Sequence, residues 1–297
     1  MQRILALDIG GTSIKHGLYN EHGTELEKDQ HDSHVTPIDR DLTLDQLLDQ
    51  IAEIAGGYTE LTGIALSTPG IVHKTTRIVS GGGAIGCLDQ ADMPALIQAK
   101  LGLPATIEND AYCATYGEYW LGGGKGCTNV VVLTIGTGIG GGMILNGEMY
   151  TGSNSFSAEF GIMYNHDRAH NAQNFSQMAS SRALTLAAQA IDPNITNGKQ
   201  FFAHLDEPNP DPAIVQLYET WLGELARGIF NIGSVIDPDK ILLGGGVSSQ
   251  DRIYTRINQA IKDMATYPYF YTVEPCLLRN DAGKIGAVYC FVKSKTA

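Results

Sequence analysis

The apolar runs of this chain end repeatedly at glycine turns. Residues 3–7 are almost continuously apolar and predict a buried strand. The pattern resumes over 12–19, so a hairpin is expected across Gly10-Gly11. Residues 25–31 are more polar and read as a third strand at a sheet edge. Leu44, Leu47, Leu48, Ile51 and Ile54 recur at helical spacing, which predicts a helix over 42–54. A strand over 63–67 is stopped by Thr68-Pro69-Gly70. A helix over 93–101, a strand over 105–107 and a helix over 111–121 complete the first half.

The second half opens the same way. Strands are expected at 129–135 and 139–145, folded back at Gly136-Thr137-Gly138, and Asn146-Gly147 marks a further tight turn. Helices are expected over 176–190 and 211–236. The second carries an apolar stripe that includes Ile214, Trp221, Leu225 and Ile232. A strand over 240–243 ends at Gly244-Gly245-Gly246, and helices over 252–264 and 281–292 close the chain. This is a structural duplication of two α/β halves rather than a sequence repeat. The junction falls near 110–124 without a linker, and a cleft between two such halves is a natural ligand site.

Composition narrows the class. A chain of 297 residues with 43% hydrophobic content is long enough for two cored domains. Its formal net charge of −12 opposes general affinity for nucleic-acid phosphates, so no nucleic-acid partner is expected. Cys87, Cys113, Cys127, Cys276 and Cys290 are scattered, with no C-x-x-C pair. They read as reduced thiols of a cytoplasmic protein. No signal-peptide pattern and no membrane-spanning apolar run occurs in the sequence, and no membrane partner is expected.

The turns carry the candidate chemistry. In Asp8-Ile9-Gly10-Gly11-Thr12, glycines let main-chain N–H groups approach phosphate oxygens, Thr12 offers a hydroxyl, and Asp8 is placed to hold Mg²⁺ through water. Lys15 reads equally as a phosphate contact and as a solvated strand lysine. The second turn repeats the logic with Thr134, Gly136, Thr137 and Gly138. Between the two turns lies Glu108-Asn109-Asp110. Asp110 has two readings: N-cap of the following helix, or general base for a substrate hydroxyl. The flanking turns favour the base, with Asn109 bonding a neighbouring sugar hydroxyl. Gly245 reads either as a close approach to a flat base such as adenine or as a tight strand–helix turn. Glu159, in Ala158-Glu159-Phe160-Gly161, reads either as a carboxylate facing a polyol or as a surface residue. His166 and His170 have metal-like spacing but sit in polar loop sequence without a nearby Cys, and surface histidines are expected.

Together, residues 8–15, 108–111, 135–142 and 237–246 resemble the ROK family of repressors, open reading frames and kinases, in order and over essentially the whole chain. The resemblance implies the two-domain actin/hexokinase/Hsp70-type (ribonuclease H-like) ATPase fold. Each domain would have a five-stranded mixed sheet, and the C-terminal helix would return to the N-terminal domain. The expected limits are 1–115 plus 282–297 for the N-terminal α/β domain and 116–281 for the C-terminal one, with ATP and sugar in the cleft between them. It further implies a cytosolic, usually homodimeric, ATP- and Mg²⁺-dependent sugar kinase with Asp110 as base and Asn109 and Glu159 as sugar ligands. Many members follow the Glu-x-Gly with a His and then a cysteine-rich zinc loop. Here Ile162 follows Gly161, and 165–178 contains no Cys, so no zinc is expected. A second carboxylate that members place after the zinc loop is absent too, with Ser176 loosely in its place. Fewer polar contacts near C1 and C2 favour an acceptor substituted at C1, and zinc-free members of this size resemble β-glucoside kinases. N-acetylmannosamine kinase and glucokinase are the alternatives. A sugar-sensing regulator without catalysis is the non-enzyme alternative, opposed by the intact turns and Asp110. A repressor is not expected, because the first motif starts at Asp8 and leaves no space for a helix-turn-helix.

Overall fold

The computed structural model describes residues 1–27, 34–83, 85–164, 173–266, 268 and 271–295. The chain divides into two units. Unit 1 comprises Met1–Lys125, Met149–Ser157 and Asn280–Ala297; unit 2 comprises Gly126–Glu148 and Ala158–Arg279.

Unit 1 is built on a five-stranded sheet in the order β3-β2-β1-β4-β7. The strands are β1 (Ile4–Ile9), β2 (Ser13–Tyr19), β3 (His34–Pro37), β4 (Gly63–Thr68) and β7 (Ala105–Asn109). Strand β1 is central, covered on both faces, and therefore reads as a continuous apolar run rather than an alternating one. It pairs antiparallel with β2 and parallel with β4, and β4 is parallel to β7. A small hairpin of β5 (Ile71–Val72) and β6 (Val79–Ser80) follows β4. Helices α1 (Leu44–Gly56), α2 (Met93–Leu101) and α3 (Asp110–Leu121) lie between and after the strands.

Unit 2 repeats the plan. Its strands run β10-β9-β8-β11-β12, with β8 (Val130–Ile135) central, antiparallel to β9 (Ile139–Leu145) and parallel to β11 (Lys240–Gly244). Strand β10 (Glu148–Met149) borders β9, and β12 (Thr272–Pro275) runs parallel to β11. The core of this unit gathers the buried stripe of α7 (Pro212–Ile236) around Phe175, Phe201 and Phe202. Helices α4 (Phe175–Ala179), α5 (Ser181–Gln189), α6 (Gly198–Leu205) and α8 (Asp251–Met264) belong to this unit. Helix α9 (Ala282–Ser294) belongs to unit 1.

Two local readings change. The edge strand of the sheet is His34–Pro37; of the strand expected over 25–31, residues 28–31 lie outside the described residues. Glu25 makes only an isolated bridge to Tyr19, because the Asn20 side chain folds the chain into a turn by accepting from His22 and Thr24 N–H. The helix expected over 176–190 breaks at Ser180, whose extended backbone lets its hydroxyl accept from Ala183 N–H and start a new helix. The first segment of unit 1 runs to Lys125. Helix α3 runs unbroken to Leu121 and is locked to α9 by close backbone approach. A Cβ on Gly286 would lie 1.7 Å from Cys113 O, and one on Gly117 would lie 2.4 Å from Ala282 O.

Candidate active site

In unit 1, the ends of β1, β4 and β7 converge on one edge of the sheet. Register places Asp8 of β1 opposite Ser67 of β4, and Ser67 donates its hydroxyl to Asp8 Oδ1 at 2.7 Å. Lys15, opposite Asp8 on β2, holds its ammonium 3.9 Å from Oδ2, which resolves its orientation toward the carboxylate. Gly283 of α9 backs the same carboxylate, since a Cβ there would stand 3.0 Å from Oδ1. The turn after Ile9 closes with Gly10 N–H donating to Ser13 O, while Gly11 O accepts from Arg40 Nε and Thr12 O from Ile38 N–H. The N–H groups of Gly11 and Thr12 find no acceptor among the described residues.

The Asn109-Asp110 pair divides its duties. Asn109, not Asp110, is the N-cap of α3: its Oδ1 accepts from Ala111 N–H at 2.9 Å and Tyr112 N–H at 3.1 Å, and its Nδ2 donates to Gly70 O at 2.8 Å. The two partners fix the amide orientation and leave one Nδ2 hydrogen for another acceptor. Asp110 is therefore the first residue of the helix, where a carboxylate is favoured by the helix dipole; its Oδ1 also meets Ala111 N–H at 2.8 Å.

Beneath the pair lies Glu108, 8% exposed. Burial pushes its carboxyl upward, opposed by the Arg77 guanidinium at 3.4 Å and by Asn109 N–H, which donates to Oε1 at 2.9 Å.

In unit 2, the turn between β8 and β9 is Gly136-Thr137-Gly138, closed by Gly136 N–H donating to Gly138 O. The Thr137 and Gly138 N–H groups have no acceptor among the described residues. Thr134 sits in β8 opposite Gly140 and Gly244. Ser176 supports this turn by accepting from Ile139 N–H at 2.9 Å, and Ser181 donates to Ile135 O. Gly161 makes room for Ser176, since a Cβ there would fall 2.3 Å from its Oγ and 2.2 Å from Ile139 O. Gly245 has φ +91, and a Cβ would lie 2.2 Å from Ile135 O, so packing against β8 alone requires glycine there. Glu159 precedes a 3-10 turn at Phe160–Ile162. Its half-buried carboxyl is pushed upward by burial and has no hydrogen-bond partner among the described residues. His166 and His170 lie outside the described residues.

Several functional neighbours escaped the sequence reading. Ser67 was visible in principle as the residue facing Asp8 on the next parallel strand. Arg77 and Arg40 carried no signal, because both arrive from distant segments.

A model of the ROK family matches residues 4–294. The chain belongs to the ROK family. The paired five-stranded sheets are the actin/hexokinase-type ATPase fold expected from the sequence. A β-glucoside kinase of Listeria innocua is 33% identical over 301 residues, covering 99% of this chain and 98% of the relative. A candidate N-acetylmannosamine kinase of Listeria monocytogenes has a solved structure that matches with TM-score 0.88 and 30% identity, over 99% of this chain and 100% of that one. A ROK protein of Streptococcus pneumoniae, solved in complex with sucrose, matches with TM-score 0.87 and 27% identity over 99% of both chains.

Proposed function

We propose that this ROK protein transfers the γ-phosphate of Mg·ATP to the 6-hydroxyl of a hexose unit, and that the hexose is a β-glucoside. The chain is a carbohydrate kinase, an enzyme that phosphorylates a sugar hydroxyl, in keeping with named sugar kinases similar to it over its whole length. One observation supports Asp110 as the base above others: Asn109 takes the helix cap, which removes the structural role that competed for Asp110.

In this reading Asp110 accepts the proton of the attacking hydroxyl. The remaining Nδ2 hydrogen of Asn109 donates to a neighbouring hydroxyl, and Glu159 accepts from others. The amides of Gly11 and Thr12 in unit 1, and of Thr137 and Gly138 in unit 2, donate to nucleotide phosphates, with Ile9, Gly10, Gly136 and the Thr134 hydroxyl shaping the turns and Gly245 beside the adenine. Such a site works by positioning and charge stabilisation rather than covalent chemistry.

Asp8 suits Mg²⁺. Ser67 pins Oδ1, and the Lys15 ammonium stands 3.9 Å from Oδ2, beyond hydrogen-bond distance, so Oδ2 keeps capacity to accept. Among the described residues no three His, Cys, Asp or Glu gather into a metal cage. A single carboxylate is the arrangement for an ion held mainly by phosphates and water. Mg²⁺ would supply neutralisation of phosphate charge there. The Cys-free stretch 165–178 supports operation without zinc, and the odd, scattered cysteines support a cytoplasmic home. A homodimer is the assembly implied by the family resemblance.

The β-glucoside assignment rests on the name of the L. innocua relative and on Ile162 standing where many members have His; the sucrose held by the S. pneumoniae relative, an α-glucoside, bears only on room for a substituent at C1. N-acetylmannosamine is the second reading, favoured by the description of the L. monocytogenes structure.

A coupled ADP-release assay with cellobiose, phenyl β-glucoside, N-acetylmannosamine and glucose tests both. Asp110→Asn is expected to lower kcat by about 10²–10⁴-fold with little change in sugar binding. Near-normal turnover in that variant would remove Asp110 from the chemistry.

A further inference from the structure

The loop after β10 is tied to the helix that carries Asp110 by a closed circuit of hydrogen bonds, all within unit 1. From Asn109, the side-chain amide reaches Gly70 O at the start of the β5–β6 hairpin. From that hairpin, Lys74 N–H donates to Ser155 Oγ at 3.1 Å. From the loop, Ser157 returns to α3: the Tyr112 hydroxyl lies 2.9 Å from both its carbonyl oxygen and its Oγ. Tyr112 stands two residues beyond Asp110, about 3 Å of helical rise. The Ser157 hydroxyl in turn donates to Tyr150 O, so the two ends of the loop meet.

The anchors of this circuit are buried. Tyr112 is 5% exposed and Ser155 6%, and Ser155 holds a left-handed backbone with φ +54. A non-glycine residue in that conformation costs free energy and persists only where its surroundings enforce it. Yet the two aromatic residues of the loop stay out. Phe156, whose neighbours on both sides are bonded in place, is 48% exposed, and Tyr150 is 51% exposed. The backbone is ordered around rings that the protein itself leaves half uncovered. Single exposed apolar residues are ordinary; here two aromatic residues stand on one loop whose ends are bonded together and which is fastened to the helix that carries Asp110. Rigid aromatic side chains of this kind bind flat or apolar ligand faces at little cost in conformational entropy.

We propose that Phe156 and Tyr150 form an aromatic platform for the group carried on C1 of the acceptor sugar, an aryl ring or a second pyranose. This rests on the kinase reading above and adds the specificity element to it: Asp110 meets the primary alcohol, and the loop on the same hydrogen-bonded assembly selects what the anomeric carbon bears. Phe156 and Tyr150 are specificity residues and take no part in proton or phosphate transfer.

The test measures the ratio of kcat/KM for phenyl β-glucoside to that for glucose in the full-length protein, its Phe156→Ala and Tyr150→Ala variants, and Phe156→Tyr. Binding of phenyl β-glucoside without ATP is followed in parallel by calorimetry. The ratio should fall about tenfold in Phe156→Ala, the scale of one lost apolar contact in a specificity pocket, and should be kept in Phe156→Tyr, which retains a ring. A ratio unchanged in both alanine variants would overturn the platform, as would a wild type that turns over glucose but binds no phenyl β-glucoside. Phe156-dependent binding of phenyl β-glucoside in a protein that releases no ADP would overturn the kinase reading and leave the platform standing.

Discussion

Arg77→Met should uncover the charge buried under Asn109 and Asp110, and do so in proportion to pH. Arg77 reaches Glu108 from the β5–β6 hairpin, with side-chain exposures of 32% and 11% and a gap of 3.4 Å. Removing one partner of a fully buried pair costs about 3–5 kcal/mol, whereas exposed pairs are worth under about 1. This pair lies between, so about 2 kcal/mol is expected near neutral pH, or roughly 4–8 °C in Tm. The sign follows from Glu108, whose carboxyl titrates above its ordinary range because burial outweighs the help of Arg77 and Asn109 N–H. The folded state then holds a proton that the unfolded state has released, so stability falls as pH rises from the unfolded to the folded titration point. Without Arg77 the folded carboxyl titrates higher still, and the fall extends over a wider window. Scanning fluorimetry at a series of pH values should show wild type and variant nearly equal near about pH 4, with the gap opening toward about pH 7. Adding Glu108→Gln to Arg77→Met should close the gap, because the amide keeps an oxygen for Asn109 N–H and carries no charge. A gap of the same size at every pH would refute the reasoning, since it would mean that Arg77 acts only through packing.

Two further outcomes test unit 2. Glu159→Gln should lower kcat/KM for the sugar by about 10–100-fold, the worth of a charged hydrogen bond, yet melt at a higher temperature than wild type above the carboxylate range, because a desolvated charge without a protein partner is removed; a lower Tm at neutral pH would show that Glu159 is structural. Gly245→Ala should cost about 2–4 kcal/mol through its φ of +91 and its contact with Ile135 O, whereas Gly136→Ala should leave Tm unchanged and raise the KM for ATP; the reverse pattern in the two variants would exchange their roles.

Periodicity and turn chemistry carried most of the fold. The central strands β1 and β8 are legible because both of their faces are covered, and each is followed by a hairpin turn that the glycines mark. The edge was not legible. Edge strands need no apolar face, so β3 at His34–Pro37 carries no distinguishing pattern, and only its pairing with β2 identifies it. Ser180 looked like a helix interior, since a serine hydroxyl that caps and one that faces solvent leave the same trace. At the site, Asp8, Asn109 and Asp110 stood out because polar residues at apolar strand ends are anomalous. Arg77 did not, because it reaches Glu108, beneath Asn109 and Asp110, only through a tertiary contact at a sequence separation that no local pattern encodes. That Asn109 rather than Asp110 caps α3 needed the coordinates, for Asn and Asp cap equally well and adjacent candidates cannot be ranked by type.

The glycines themselves separate internal from external demands. At Gly245, Gly161 and Gly286 a Cβ would collide with the protein's own backbone, so the fold alone accounts for them. At Gly136 a Cβ would meet nothing within 4 Å, at Gly10 only Ser13 O at 3.4 Å, and neither has a left-handed backbone. Glycine weakens a chain entropically wherever it is not required. Its retention in both matching turns, beside N–H groups that the described residues leave without acceptors, therefore needs a cause outside the polypeptide. A ligand that presses oxygen atoms onto bare main chain is such a cause, and phosphate is the group that the proposed kinase reading assigns to each turn. The duplication of the fold thus explains the duplication of the motif: each half supplies the same strand–turn–strand hairpin, and only unit 1, through β7 and α3, adds Asp110, the base of the proposed function.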